Sequence, residues 1–499
     1  MERPERRNPV APDLCVWLAL ILPVLIGVAR ADELTLPAVD PFVETSRVEQ
    51  LEQTLQSVVE QNRWLSEQIY ELKERSIFRP MEQQGSASCS ASGLKSDTQK
   101  LFRPRYSVGY DNGFVICPEN LDESPFSLKV NSQSTFRYSG FASGESFWTD
   151  SAGNVNPNNT SSNFLIPRGR IIFSGKALLP EISYLLNIDY NTTSSNLIGL
   201  RAFALSYQFS RGLEVSVGQN KVPGTREWLM SSWAAQEGPD RSMATTFFRP
   251  SLSQGIWLNG EPIVGLFYHA MLSNGFNTLN LAPNQFNQRL CFSESVWWEP
   301  WGDFGPGYAD IEAHQQPALR VGTSYTFAVG KGNQADSNAA ESSSLRLSDG
   351  TVITQPGAFA PGVTLQSYDV SLAAIDLAFK YRGFSLSTEV YAQELLALKG
   401  DGPLPLSSTR ANGGFLQGGY FVIPQKFELY SRTSFVTGGY GTGSELAGGF
   451  NWFPLIGKSN LRFTFDTAWM DHSPADQNRT GFVAGQTGLL VRTQINASF

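Results

Sequence analysis

Lys129, Arg137, Arg168, Arg170, Lys176, Arg320, Lys380, Arg432, Arg462 and Arg492 all fall on the polar side of segments in which polar and apolar residues alternate. Alternation of period two describes a strand with one wet face and one oily face, so these cations share the wet face of the sheet that contains them. Guanidinium and ammonium groups gathered along one wall attract anions and pass them along fixed charge. By the same parity the acids Asp189, Glu214, Asp376, Glu389, Glu428 and Asp466 share that face, which leaves the wall mildly basic. The plainer reading is that these charges only keep an enclosed space wet.

The connection 222–252 holds a second group: Arg226, Glu227, Asp240, Arg241 and Arg249, with Glu237, Trp228 and Trp233. Unopposed Arg or Lys at close quarters favours capture of an oxyanion, whereas opposed charges across a gap produce a transverse field. These residues are therefore expected to form a constriction loop. Trp228 and Trp233, and the cluster Trp297, Trp298 and Trp301, could stack sugar rings, although packing and interfacial positions suit tryptophan equally well. Hydrolysis has little to work with, because His269, His314 and His472 are far apart and none sits in a motif with Ser and Asp. No Cys or His spacing suggests a metal. Neither a catalytic residue nor a cofactor is expected.

Strands must position these side chains, and the last one ends the chain. Leu489, Val491, Thr493, Ile495 and Ala497 alternate with the polar Arg492, Gln494, Asn496 and Ser498, and Phe499 closes the run on an aromatic. Outer-membrane barrels need such strands, with lipid on one face and an aqueous lumen on the other; an edge strand of a soluble sandwich would look the same. From Phe126 onward, alternating segments are separated by short connections near Leu179-Pro180-Glu181, Ser210-Arg211-Gly212, Glu261-Pro262, Arg382-Gly383, Pro424-Gln425 and Pro454–Lys458. Long connections at 139–163, 222–252, 330–366, 397–411 and 472–485 intervene. If the last strand descends to the periplasm, the direction of every other strand follows. Segments 263–273 and 317–329 would then both rise, so a descending strand is required between them, and Gln288–Glu299 supplies it. The count reaches sixteen, with 300–316 an awkwardly long turn on the short side. Ile182, Tyr184, Leu186, Ile188 and Tyr190 are expected to face lipid, as are Leu461, Phe463, Phe465 and Trp469.

The N-terminus differs in kind. Arg3, Arg6 and Arg7 precede an apolar stretch from Cys15 to Val28, and Ala29-Arg30-Ala31 fits a cleavage site, so 1–31 reads as a signal peptide. At 46–75 the apolar seam Val48, Leu51, Leu55, Val58, Leu65, Ile69 and Leu72 steps by threes and fours, with Asn62 at one polar a position. That seam predicts a coiled coil in the periplasm and self-association, with a homotrimer and a dimer both open. Residues 76–125 read as a linker in which Cys89 and Cys117 could pair and Tyr106–Ile116 could form a short hairpin. A net charge of −8, with 17% charged residues, argues against a nucleic-acid partner. The expected fold class is all-β, a 16-stranded antiparallel transmembrane β-barrel over 126–499 preceded by a short α-helical coiled coil.

Several segments resemble the phosphate- and polyphosphate-selective porins (porin O/P type). These are Arg168-Gly169-Arg170 leading into Phe173-Ser174-Gly175-Lys176, the run Tyr184–Tyr190, Val217–Pro223, and Gly418–Pro424 followed by Lys426–Arg432. The resemblance covers about 105–499 and extends to the terminal Phe499, which it marks as a barrel assembly signal. It implies a trimeric channel in a bacterial outer membrane, but its motifs belong to the framework and say little about the solute. The mixed charges of 222–252 depart from the family's anion-specific members. The expected function is passive diffusion of small hydrophilic solutes, with a mild preference for anions such as phosphate. Two alternatives stand beside it: a sugar-selective porin, and a structural anchor whose coiled coil tethers the membrane to the envelope.

Overall fold

The computed structural model describes residues 105–120, 125–193, 198–279, 289–332 and 344–499. The expected signal peptide, the coiled-coil seam from Val48 to Leu72 and most of the linker lie outside them. A hairpin of β1 (Tyr106–Tyr110) and β2 (Phe114–Pro118) comes first, followed by the long strand β3 (Leu128–Ser143). The small pair β4 (Phe147–Thr149) and β5 (Val155–Pro157) decorates the next connection. The wall continues through β6 (Ser161–Ala177), β7 (Leu179–Tyr190), β8 (Ile198–Ser210), β9 (Leu213–Lys221), β10 (Leu252–Ile263), β11 (Leu266–Ser273) and β12 (Cys291–Trp298). It proceeds through β13 (Ala318–Lys331), β14 (Leu365–Tyr381), β15 (Phe384–Gly400) and β16 (Thr409–Ile423). It ends with β17 (Phe427–Gly438), β18 (Gly441–Trp452), β19 (Leu461–Asp471) and β20 (Gly488–Ser498).

Each wall strand pairs antiparallel with its neighbours, and β20 returns to β3 in register from Gly488↔Ser143 to Ser498↔Gln133. The sheet has 18 strands; β1 and β2 stand outside the closed ring, which leaves a cylinder of sixteen. Closure pairs each of the sixteen ring strands on both edges. Phe499 completes the seam: its N–H donates to the Ser132 carbonyl at 3.0 Å, and its own carbonyl accepts from the Ser132 N–H at 2.7 Å. Beyond it, β2 pairs with the same edge of β3 at Phe114↔Val130, Val115↔Lys129 and Ile116↔Leu128. The hairpin expected in the linker therefore extends the barrel sheet. Cys117, at the end of β2, is disulfide-bonded to a partner outside the described residues, where Cys89 also lies.

The period-two pattern sorts the two faces. Phe136, Phe203, Leu205, Ile256, Leu258, Ile375, Val390, Leu416, Phe435, Leu446 and Ile495 are exposed on the outside. Their strand neighbours Arg137, Ala204, Trp257, Ala374, Asp376, Glu389, Gln417, Ser434, Glu445 and Gln494 are buried inside. Connections on the side of the termini are short, such as the two-residue Arg382-Gly383 turn with φ of 48° and 82°. The exception is 299–317, which folds inward and buries Phe304, Tyr308 and Asp310. One connection on the long-loop side is a tight turn, Gly439-Tyr440.

Two glycines of the family-like segment are set by close approach. Gly169 lies opposite Tyr190, and Gly175 lies opposite Tyr184, in the β6–β7 register. A methyl on Gly169 would sit 1.9 Å from the Tyr190 ring, and one on Gly175 would sit 1.9 Å from the Ser127 carbonyl oxygen. Tyr190 lies across its glycine to share a 2.7 Å hydrogen bond with Ser134, and Tyr184 donates to the Ser127 carbonyl at 3.0 Å. Each ring ties three chain segments together. Gly169→Ala should expel the Tyr190 ring and cost about 1–3 kcal/mol. Thermal unfolding in detergent checks this, and Gly169→Ala in a Tyr190→Ala background should cost much less.

Candidate functional site

Between β9 and β10 the chain leaves the wall and crosses the interior. Residues 222–251 contain two short helices, α1 (Arg226–Leu229) and α2 (Met243–Phe248), N-capped by Thr225 and Ser242. The Thr225 hydroxyl accepts from Trp228 N–H at 3.3 Å, and the Ser242 hydroxyl accepts from Thr245 N–H at 3.1 Å. Nearly every side chain of the segment is buried. It touches β3, β6, β15, β17, β18, β19 and β20, strands that lie around much of the cylinder.

The wall divides its charges according to what the loop presents. The run 233–240 offers carbonyl oxygens, and guanidinium and amide groups meet them. Arg137 donates to the Pro239 carbonyl at 2.9 Å, Arg432 to the Asp240 carbonyl at 2.9 Å, and Arg462 to the carbonyls of Gln236 and Trp233. Asn451 donates to the Glu237 carbonyl at 2.8 Å. The helix starts offer N–H groups, and carboxylates meet those. Glu389 accepts from the N–H groups of Arg226 and Glu227 at 2.6 and 3.0 Å, and Glu445 accepts from Met243 N–H at 2.8 Å. Inside a helix-bearing loop such pairings satisfy peptide groups that water would otherwise have to reach.

Asp240 is the centre of this arrangement. Arg168 grips it in a two-pronged contact at 2.6 and 2.8 Å, and Arg137 approaches to 3.2 Å. Burial would push the Asp240 carboxyl up, but Arg168 and Arg137 outweigh it and hold it down at about 2. A depressed carboxyl contributes its stabilisation fully above the unfolded value, about 3.9, and loses it as the pH falls through the folded value. Arg241 and Arg249 both stack on the loop's own Trp228, with guanidinium carbons 4.6 and 4.5 Å from its ring. Glu227 accepts the Ser242 hydroxyl at 2.7 Å, and Arg226 lies 3.7 Å from Asp376.

The other expected wall cations are also engaged. Arg492 binds Asp466 at 2.8 and 2.7 Å, Arg170 binds Asp189 at 3.4 Å and the Ser232 hydroxyl at 2.8 Å, and Lys129 reaches Asp111 at 3.3 Å. Arg320 pairs with Asp376 at 3.3 Å, and Lys380 donates to the Phe304 carbonyl at 3.0 Å. Lys176 is half-buried near the end of β6. The structure thus brings these cations to one interior, but commits most of them to protein partners.

Three basic residues escape the parity reading. Arg201 is an extra residue in β8: the β7–β8 register slips between Asn187↔Ala202 and Ile188↔Leu200, and this bulge leaves Arg201 buried. Lys221 donates to the Leu229 and Met230 carbonyls at 2.7 and 2.8 Å, closing the end of α1. Arg479, from the connection 472–487, pairs with Asp189 at 2.5 Å. Arg170, Arg201 and Lys221, with Asn187, Asn220 and Ser231, line a cavity of about 60 Å³ between the loop and the wall. The period-two count alone could not find Arg201, because a bulge has no signature in it.

The tryptophans lie in different surroundings. Trp228 and Trp233 are buried in the loop packing and Trp297 stacks on Phe267 at 5.3 Å, while Trp298 and Trp301 are exposed. Asp310, Glu312 and His314 gather on the inward turn, but Asp310 already accepts from His314 and from Gly383 N–H at 2.7 Å. The bond from Asp310 raises the His314 pKa against its burial. These contacts make the group a clamp on the turn.

No family model matches the sequence, and no curated protein does. Among solved structures the chain is similar to an anion-selective porin from Comamonas acidovorans, at 12% identity over 74% of this chain and 99% of that one, with a TM-score of 0.44. It is also similar to the trimer form of OmpT, an outer membrane protein of Vibrio cholerae, at 10% identity over 74% and 99% of the two chains, with a TM-score of 0.44. The outer membrane channel DcaP of Acinetobacter baumannii follows at 9% identity over 74% and 97%, with a TM-score of 0.44.

Replacing Asp240 by Asn removes the charge that Arg137 and Arg168 share and strands both in a buried site. Breaking a buried pair in this way costs about 3 kcal/mol or more. Amides of 226–248 should therefore exchange with deuterium about a hundredfold faster while wall amides stay protected. Unchanged exchange would show that the carbonyl contacts alone hold the loop.

Proposed function

We propose that the protein is an outer-membrane channel for passive diffusion of small hydrophilic solutes, with a mild preference for anions, and that it works as a homotrimer. The observation that carries this reading is the sorting of the cylinder's faces: an apolar outer belt around a charged interior crossed by one loop. Sixteen strands make a cylinder wide enough for a water-filled path. The preference for anions is supported by the cavity beside the loop, lined by Arg170, Arg201 and Lys221 with no carboxylate among its lining residues. Specific selection of phosphate has less support, because Arg137, Arg168, Arg432 and Arg462 are occupied in holding the loop. In this reading Arg226, Glu227, Asp240, Arg241 and Arg249 shape the constriction by fixing the loop rather than by facing the solute. Phe499 remains our candidate for the assembly signal, and residues 46–75 for the oligomer seam in the periplasm.

A second reading draws on the same loop. Its burial, together with the inward turn 299–317, fills much of the interior, which would suit a closed barrel anchoring the envelope.

Recording from the purified protein in planar bilayers separates the two readings. A channel gives discrete conductance steps, and an anchor gives none. In a salt gradient the reversal potential should show anions favoured, and Arg201→Ser should move it toward cations. An identical potential for Arg201→Ser would remove the cavity from the path. Deleting 46–75 should weaken the oligomer on native gels; a heat-resistant trimer that survives the deletion would assign assembly to the barrel.

A further inference from the structure

Glu237 of the inward loop and Glu428 of β17 are both buried, at 1% and 0% exposure. A methyl on Gly419 of β16 would lie 2.7 Å from Oε1 of Glu428 and 2.9 Å from Oε1 of Glu237. The two carboxyl groups thus converge on one glycine, where the lack of a side chain leaves them room. Ser385 of β15 donates its hydroxyl to Glu237 Oε1 at 2.5 Å, and Asn451 of β18 donates to Glu428 Oε2 at 2.8 Å. Glu237 Oε2 and Glu428 Oε1 are left buried without a hydrogen-bond partner. Asp240, Glu389 and Glu445, which also fix the loop, have cations or backbone N–H groups on them; Glu237 and Glu428 have only neutral side-chain donors and converge on each other.

The surrounding charges act from a distance. Lys380 of β14, Arg226 of the loop, Arg432 of β17 and Arg462 of β19 all bear on the pair. Each is bound elsewhere: Lys380 to the Phe304 carbonyl, Arg226 beside Asp376, Arg432 to Glu445 and the Asp240 carbonyl, and Arg462 to loop carbonyls. Tyr430 of β17 faces inward nearby with its hydroxyl unpartnered, and β16 contributes Gln417, which carries no charge. Two buried carboxylates this close cannot both ionise cheaply, so one proton serves the pair.

We propose that Glu237 and Glu428 form a proton-held latch between loop and wall. With one proton bound, the pair is a carboxyl beside a carboxylate and the run 233–240 stays docked. When that proton leaves to solvent, two like charges confront each other across the loop–wall contact, the run lifts, and the path through the cylinder widens. Burial pushes the Glu237 carboxyl above its ordinary range, which places this loss toward neutral and alkaline pH rather than near pH 4. Glu237 and Glu428 therefore regulate the path and are not part of its selectivity.

Only the effect on conductance rests on the channel reading; the latch itself is tested without it. The full chain in lipid or detergent is followed by deuterium exchange of amides in 226–248 from pH 5 to 9, corrected for the intrinsic pH dependence of exchange. Exchange of the loop should rise about tenfold above neutrality, the effect of one unit of unrelieved repulsion, while wall amides do not change. Glu428→Gln and Glu237→Gln should each abolish that rise and keep the loop docked throughout. A flat wild-type profile overturns the latch, and so does a rise that persists in both variants. Single-channel conductance should climb over the same pH interval in the wild type and stay level in Glu428→Gln. If exchange responds but no current is seen at any pH, the latch stands and the channel reading falls.

Discussion

A long polypeptide segment buried inside a cylinder must have its peptide groups met, since an unpaired buried N–H or carbonyl costs as much as a lost hydrogen bond. In this protein the segment is 222–251, and the wall provides for it. Carbonyls of Trp233, Gln236, Pro239 and Asp240 receive guanidinium groups, and the first N–H groups of the two helices receive Glu389 and Glu445. Asp240 then neutralises Arg137, one of the guanidinium groups this scheme requires, together with Arg168. Much of what looks like a selectivity apparatus is thus the hydrogen-bonding complement of one loop.

That division of labour changes the meaning of an interior charge count. A mildly basic wall suggests a field acting on whatever passes through. A guanidinium that already donates to a carbonyl and a carboxylate is largely compensated. Arg170, Arg201 and Lys221 at β6, β8 and β9 border a cavity beside the loop, and there Arg170 also pairs with Asp189 and Lys221 with two loop carbonyls.

The alternation of side chains carried most of the fold. It sets strand directions from Phe499 backward, requires a strand where β12 stands, and turns Arg137, Arg168, Arg432 and Arg492 inward. Boundaries moved by a few residues where strands run past the point at which the pattern fades, as in β3 to Ser143 and β15 to Gly400. Arg201 was illegible because a bulge breaks the count without leaving a residue signature. The engagement of the wall by the loop was illegible for another reason: Asp240 meets Arg168 and Arg432 across long stretches of chain, and nothing local to 222–252 encodes those meetings. Gly169 and Gly175 read as a motif, and their physical content, two tyrosines lying across them, became visible only in the register of β6 on β7.

The edge of β3 that receives β20 also receives β2, so the last residue of the chain and the hairpin at 106–118 sit end to end on one strand. Tension on the chain before Tyr106 would therefore reach the cylinder at its closing seam. Antiparallel pairs there would resist it together in shear before a single loop could stretch. In mechanical terms the hairpin is a splice, joining the barrel to whatever precedes it at the place where the barrel itself is joined.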